Sequence, residues 1–234
     1  MEFFKKNIFQ KIAYELSDLK YQKKERLGDI IKKYELDIAN IKFISVGAND
    51  GIKHDPIAPF LKKYDWEGVF IEPIPEYFSL LKENYKKSRK IILEQAAIGS
   101  EESQKNIYLI NPKAPWITIF FGKRLASFDR KIIESHSWYV PMLRKNIINL
   151  EVAVIPLRTI IEKYEYWDVD LITIDVEGYE LEVITSLDFT KIKPKIIFFE
   201  TKHLTINGYE KIVNLLETEG YKIFALGRDS YAIS

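Results

Sequence analysis

Apolar residues along this chain recur with two periods, and the points where one period gives way to the other mark out its elements. Near the start, Phe4, Ile8, Ile12, Leu16 and Leu19 fall at helical spacing on a charged stretch, and residues 27–34 continue in a second helical piece. Short, β-branched apolar runs then follow at 41–46, 68–71, 91–98, 169–174 and 195–199, the pattern of strands buried on both faces of a parallel sheet. Helical stretches separate them at 56–64, 75–85, 157–164, 179–187 and 207–219. Gly220 suits the C-terminal cap of the last of these. Two strands at 221–226 and 230–233, joined by the turn Gly227-Arg228-Asp229, close the chain. This alternation predicts an α/β fold with a mostly parallel sheet. Residues 106–110 read as an extra strand and 152–155 as a segment that pairs at the far edge of what lies between, where 111–149 is the least regular part of the chain. Long irregular segments in compact domains are usually lids, so a substrate cap is expected at about 111–150.

The chemistry gathers where the strands end. The run 41–46 stops in Gly47-Ala48-Asn49-Asp50-Gly51, a glycine-bounded polar turn whose backbone can lie against a ligand. The spacing is not G-x-G-x-x-G, and a loop that carries Asp50 but no P-loop lysine suits a positively charged cofactor better than a pyrophosphate. Glu72 follows the second strand at about the distance where an acidic residue accepts from ribose hydroxyls. The crossover and switch-point rules put the end of the fourth core strand, with Asp175, Glu177 and Gly178, across the crevice from Gly47. Glu177 is equally readable as a cap of the helix that follows. Glu200 ends the fifth strand on the same rim.

Together, Val46-Gly47-Ala48-Asn49-Asp50-Gly51, Phe70-Ile71-Glu72-Pro73-Ile74-Pro75 with Phe78, Leu81 and Asn84, Ala97-Ile98-Gly99, and Ile174-Asp175-Val176-Glu177-Gly178-Tyr179-Glu180 with Phe199-Glu200 resemble the FkbM family of S-adenosylmethionine-dependent methyltransferases. The resemblance covers about residues 41–226. It implies a Rossmann-like class I methyltransferase fold, a mostly parallel seven-stranded sheet with an antiparallel last strand. A helical extension over 1–40 would precede a methyltransferase domain over 41–234. It also implies methyl transfer from S-adenosyl-L-methionine to a hydroxyl of a sugar or glycan precursor. Gly47, Ala48, Asn49, Asp50, Gly51, Glu72, Pro73 and Asp175 would bind the cofactor, with Ala97 in the small-residue loop beside the adenine. An attacking hydroxyl needs a base, and Asp175, His136 and His203 are the candidates, ahead of His54. Glu177 and Glu200 on the rim, and Arg124 and Trp138 in the cap, would hold the acceptor. The cap also carries Trp116, Phe120, Phe121, Phe128 and Tyr139 among Lys123, Arg124 and His136, which suits a sugar with an anionic handle, although many of these aromatics would fill a local core. Asp175, Glu177, Glu200 and a histidine could ligate a magnesium-like ion, but no spacing demands a metal.

Composition narrows the surroundings. The 234 residues, 47% hydrophobic, suffice for one sizeable domain with appendages. A formal net charge of +1 leaves no electrostatic footprint for nucleic acid. With no cysteine, disulfides are excluded, and with neither a long apolar span nor a signal-like start the expected location is the cytoplasm. The apolar face of the first helix would pack on the domain, on a second subunit of a homo-oligomer, or on a membrane surface. Two other functions fit the same pattern: an NAD(P)-dependent oxidoreductase, and a non-catalytic methyltransferase-fold protein that binds a glycan-assembly partner.

Overall fold

In the computed structural model of the protein, residues 27–53, 55–122 and 124–234 are described. The apolar face expected from Phe4 to Leu19, and with it most of the 1–40 extension, lies outside them, as do His54 and Lys123. The chain runs through α1 (Leu27–Lys33), β1 (Lys42–Val46), α2 (Ala58–Leu61), β2 (Glu67–Ile71), α3 (Pro75–Tyr85), β3 (Ile91–Glu94) and β4 (Ala97–Ile98). Next come β5 (Ser103–Ile110), α4 (Trp116–Gly122), β6 (Ala126–Ser127), α5 (Arg130–Ser135), two 3₁₀ turns (His136–Trp138 and Leu143–Asn146) and β7 (Ile147–Ile155). The last part is α6 (Leu157–Tyr164), β8 (Leu171–Ile174), α7 (Glu180–Thr185), β9 (Ile196–Glu200), α8 (Ile206–Thr218), β10 (Lys222–Leu226) and β11 (Asp229–Ile233).

Seven strands form the central sheet in the order β10-β11-β9-β8-β1-β2-β3. All are parallel except β11, which pairs antiparallel with both β9 and β10. The last strand is antiparallel, as the sequence resemblance implies, and it slots between its two predecessors. Alternation along the strands sorts the core into two layers. Ile44, Val46, Ile172 and Ile174 face α6, α7 and α8 through Ile160, Val183 and Ile212. Phe43, Phe70 and Leu171 face the other way, onto α1 and α3 through Ile30, Ile31, Phe78 and Leu81. The helices on both sides explain why the strands read as unbroken apolar runs. Among the described residues no helix is long and apolar enough to cross a membrane.

The strands expected on either side of the cap are longer than their apolar runs suggest. β5 and β7 pair antiparallel from Ser103↔Val154 to Ile110↔Ile147, and with β4 and β6 they make a second, four-stranded sheet. Both strands carry polar, solvated positions such as Gln104, Asn149 and Glu151, which dilutes the apolar signal that reveals a strand. The cap is therefore confined to 111–146, hung between the ends of this pair and organised around buried Leu125, Ile133, Val140 and Leu143. Its aromatics divide differently from expectation. Phe128 packs on Tyr179 with ring centroids 4.7 Å apart, whereas Trp116, Phe120 and Trp138 are 74%, 71% and 84% exposed.

Candidate functional site

Strand register builds the site. Val46 pairs with both Ile71 and Ile174, and Ile174 pairs with Phe199. The residues one step further, Gly47, Glu72, Asp175 and Glu200, therefore leave the sheet side by side at its carboxyl edge. A crevice of about 440 Å³ opens over this row. Gly47, Ala48 and Asn49 line it, as do Glu72, Pro73 and Ala97. So do Arg124, Asp175, Glu177 and Glu200. Asp50, Gly51, Trp138, His136 and His203 do not belong to that lining.

The first turn is held tightly. Gly47 N and Ala48 N both donate to Ile71 O, and a Cβ on Gly47, at φ +81°, would lie 1.9 Å from the Asp175 carbonyl oxygen. Asn49 N donates to Glu72 Oε2 at 2.8 Å, and Ile74 N donates to Glu72 Oε1 at 2.9 Å. One buried carboxylate thus ties the first turn to the second. Asp50 turns away from the crevice, its Oδ1 accepting from Ile52 N and Lys53 N while its Oδ2 pairs with the Arg124 guanidinium. Arg124 also donates to Lys53 O at 2.9 Å, so the side chain expected to grip an anionic handle instead ties the cap to the first loop. Gly51 is likewise turned towards α3, its carbonyl accepting from Tyr85 Oη at 2.6 Å.

Acidic groups dominate the electrostatics. Burial pushes Glu72 up to about 7, against the opposing amides of Ile74 and Asn49. Asp175 is exposed by surface area yet enclosed by depth; the depth governs its ionisation, because crevice water is walled by protein of low polarisability. This enclosure, with Glu177 and Asp229 near, raises its carboxyl well above the ordinary range. Glu200 is raised likewise by burial and by Asp175 and Glu177. Glu177 goes the other way: burial would raise it, but the contact with His203, together with Lys202 and His136, holds it low. Burial and the nearby Lys202 keep His136 neutral to below the usual imidazole range.

Two acids in the lining escaped the sequence reading. Asp55 accepts from Ile57 N and Ala58 N, and burial pushes it up to about 6. An aspartate immediately before Pro56 at a helix start is a capping signal that could have revealed it. Asp229 comes to the rim because β11 pairs Asp229 with Glu200, a placement that only the antiparallel register provides.

Comparison with known proteins adds a family and a fold. A family model described as "Methyltransferase FkbM domain" matches residues 45–223. The solved structure of methyltransferase FkbM from Methylobacillus flagellatus KT superposes with a TM-score of 0.52 at 14% identity, covering 84% of this chain and 44% of that one. At that identity the likeness is one of fold, and the chain spans under half the length of that relative. Aeropyrum pernix fibrillarin, solved with natively bound S-adenosyl-L-methionine, is more distant, with a TM-score of 0.44 at 12% identity over 85% of this chain and 69% of its own. The N-terminal domain of human METTL16, solved with SAH, gives 0.45 at 13% identity over 88% and 66%. No curated protein matches the sequence.

Proposed function

This chain belongs to the FkbM family of methyltransferases, and from that premise we propose that it methylates a hydroxyl oxygen of a sugar or glycan precursor. Its cofactor is S-adenosyl-L-methionine, which when bound supplies an electrophilic methyl group on a positively charged sulfur. The observation that carries the reading is the row Glu72, Asp175 and Glu200, with Glu177 beside it, at the floor of one crevice. Such a row favours a cationic donor and accepts hydrogen bonds from hydroxyl groups. The same row disfavours the pyrophosphate of a dinucleotide.

The residues fit the cofactor. Gly47 leaves backbone in place of a side chain beside Asp175, and Glu72, fixed by two amides, keeps lone pairs for ribose hydroxyls. Ala96 and Ala97 give a small-residue wall on the same side. For the proton of the attacking hydroxyl, Asp175 is the base: it opens on the crevice and its raised carboxyl is matched to neutral pH. Glu177, held ionised against His203, orients the acceptor. His136 and His203 act from behind it.

The test is transfer of labelled methyl from S-adenosylmethionine to a panel of free sugars, nucleotide sugars and oligosaccharides, with amines and RNA as controls. A methyl ether on a hydroxyl acceptor is expected, and Asp175→Asn should lower kcat by about 100-fold or more. Label recovered on nitrogen, with no hydroxyl acceptor used, would overturn the proposal.

Proton linkage gives a second check on the cofactor site. Because burial raises Glu72 from 4.5 to about 7, its protonation favours the folded state fully below the unfolded value, and that contribution is lost as pH rises through about 7. A cation in the crevice favours the ionised carboxylates and displaces their protons. Calorimetry at pH 6.5 in buffers of different ionisation enthalpy should therefore show on the order of half a proton or more released per S-adenosylmethionine, and less for S-adenosylhomocysteine. Equal release by the two would place the sulfonium away from these acids.

A further inference from the structure

Behind the rim of the crevice three potential ligand groups converge from separate elements. His136 begins the 3₁₀ turn after α5 in the cap, Glu177 follows β8, and His203 follows β9. One donor atom of each lies within 4.8 Å of the other two. Asp175, Glu177 and Glu200 form a second such trio that shares Glu177 and opens on the crevice.

Three observations go beyond mere proximity. First, the His203 side chain is only 10% exposed, and its Nε2, like Glu177 Oε2 and Glu200 Oε2, is shut off from solvent without a hydrogen bond. Nε2 and Oε2 approach to 2.9 Å, the distance of an ion pair, without a hydrogen bond between them. Adjacent ligands of one ion, each about 2.1 Å from it, stand roughly 3.0–3.4 Å apart, close to the separation seen. Second, His136 has the support usual for a metal-bound imidazole. Its Nδ1–H donates to Ile132 O at 2.9 Å, which leaves the Nε2 lone pair to point at the cluster. A cation already stands there, with Lys202 Nζ 3.3 Å from that Nε2. Third, the carboxylate arm is fixed. Glu177 holds a left-handed φ of +51°, a conformation rare outside glycine, and Ser127 Oγ donates to its carbonyl at 2.7 Å.

We propose that His136, Glu177 and His203 form a binding site for a divalent transition-metal ion, which fastens the cap to the end of the central sheet. Two imidazoles and one carboxylate select Mn²⁺, Fe²⁺, Co²⁺ or Zn²⁺ over Mg²⁺ and Ca²⁺, which prefer oxygen alone. The ammonium of Lys202 holds the place of the ion and swings out as it enters. Asp175 and Glu200 stand next to this site, in the second trio that shares Glu177. On the methyltransferase reading, an acceptor hydroxyl bound there would pass its proton to Asp175. Ion binding itself does not depend on that reading.

The experiment is titration of the chelator-treated full chain with Co²⁺ and with Mn²⁺, followed by calorimetry and by the nitrogen hyperfine coupling of bound Mn²⁺. One equivalent is expected, with nitrogen coupling and an affinity at least 10-fold above that for Mg²⁺. His203→Ala and His136→Ala should each weaken binding by about 10- to 100-fold or more, with folding checked by metal-free thermal melts. Lys202→Met removes the competing ammonium and should strengthen binding. Absence of binding at millimolar ion, nitrogen-free coordination, or no gain from Lys202→Met would each overturn the site. These outcomes are independent of whether any acceptor is methylated.

Discussion

Gly47→Ala is expected to abolish measurable S-adenosylmethionine binding and to lower the melting temperature by about 5–15 °C. The new Cβ would meet the Asp175 carbonyl oxygen at 1.9 Å, and that atom is backbone at the end of a central strand, unable to rotate aside. A non-glycine residue at φ +81° costs about 1–2 kcal/mol. Overpacking against a fixed neighbour adds about 1–3 kcal/mol. Each kcal/mol shifts melting by about 2–4 °C in a chain of this size. Relief of the clash must push the first turn away from Asp175, which distorts the crevice that both residues line. A thermal melt and a calorimetric titration measure both effects. A variant that melts like the parent and binds the cofactor normally would show that the turn does not touch it.

Glu72→Ala should weaken cofactor binding by about 10- to 150-fold, the equivalent of one charge-assisted hydrogen bond at about 1.5–3 kcal/mol. Both oxygens of Glu72 already accept backbone amides, from Asn49 and Ile74. Truncation leaves those N–H groups unpaired in a buried place, at about 1–3 kcal/mol each, so stability should fall along with affinity. Glu72→Gln separates the two effects. Its amide oxygen can still accept from one N–H, so stability should recover in part, while the lost charge keeps affinity for the sulfonium low. Full affinity in Glu72→Ala would mean that Glu72 is only the staple between the two turns.

Much of this site was legible because it depends on local sequence and on one rule of topology. Short β-branched runs can be located without knowing their partners, and in a parallel α/β sheet the residues just past such runs assemble on one edge. Gly47, Glu72, Asp175 and Glu200 could therefore be placed together before any contact was known, and the pairing of Val46 with Ile71 and Ile174 carries that out. The second sheet was less legible. The sequence placed only 106–110 and 152–155 of its two long strands, because the rest of β5 and β7 is polar and the two pair across a 36-residue cap.

By itself the sequence determined the α/β fold, the family and the acidic strand-end row, since each follows from periodicity and from motifs in a fixed order. Only the tertiary structure decided which polar groups meet. Asp50 and Arg124, 74 residues apart, pair with each other at the edge of the crevice. Asp229 reaches the rim through antiparallel register with Glu200. His136 and His203 gather behind Glu177 with ring centroids 5.2 Å apart because the cap folds back over the ends of β8 and β9. Such meetings depend on chain reversal over long separations, and no local pattern of residues encodes where two distant side chains will point.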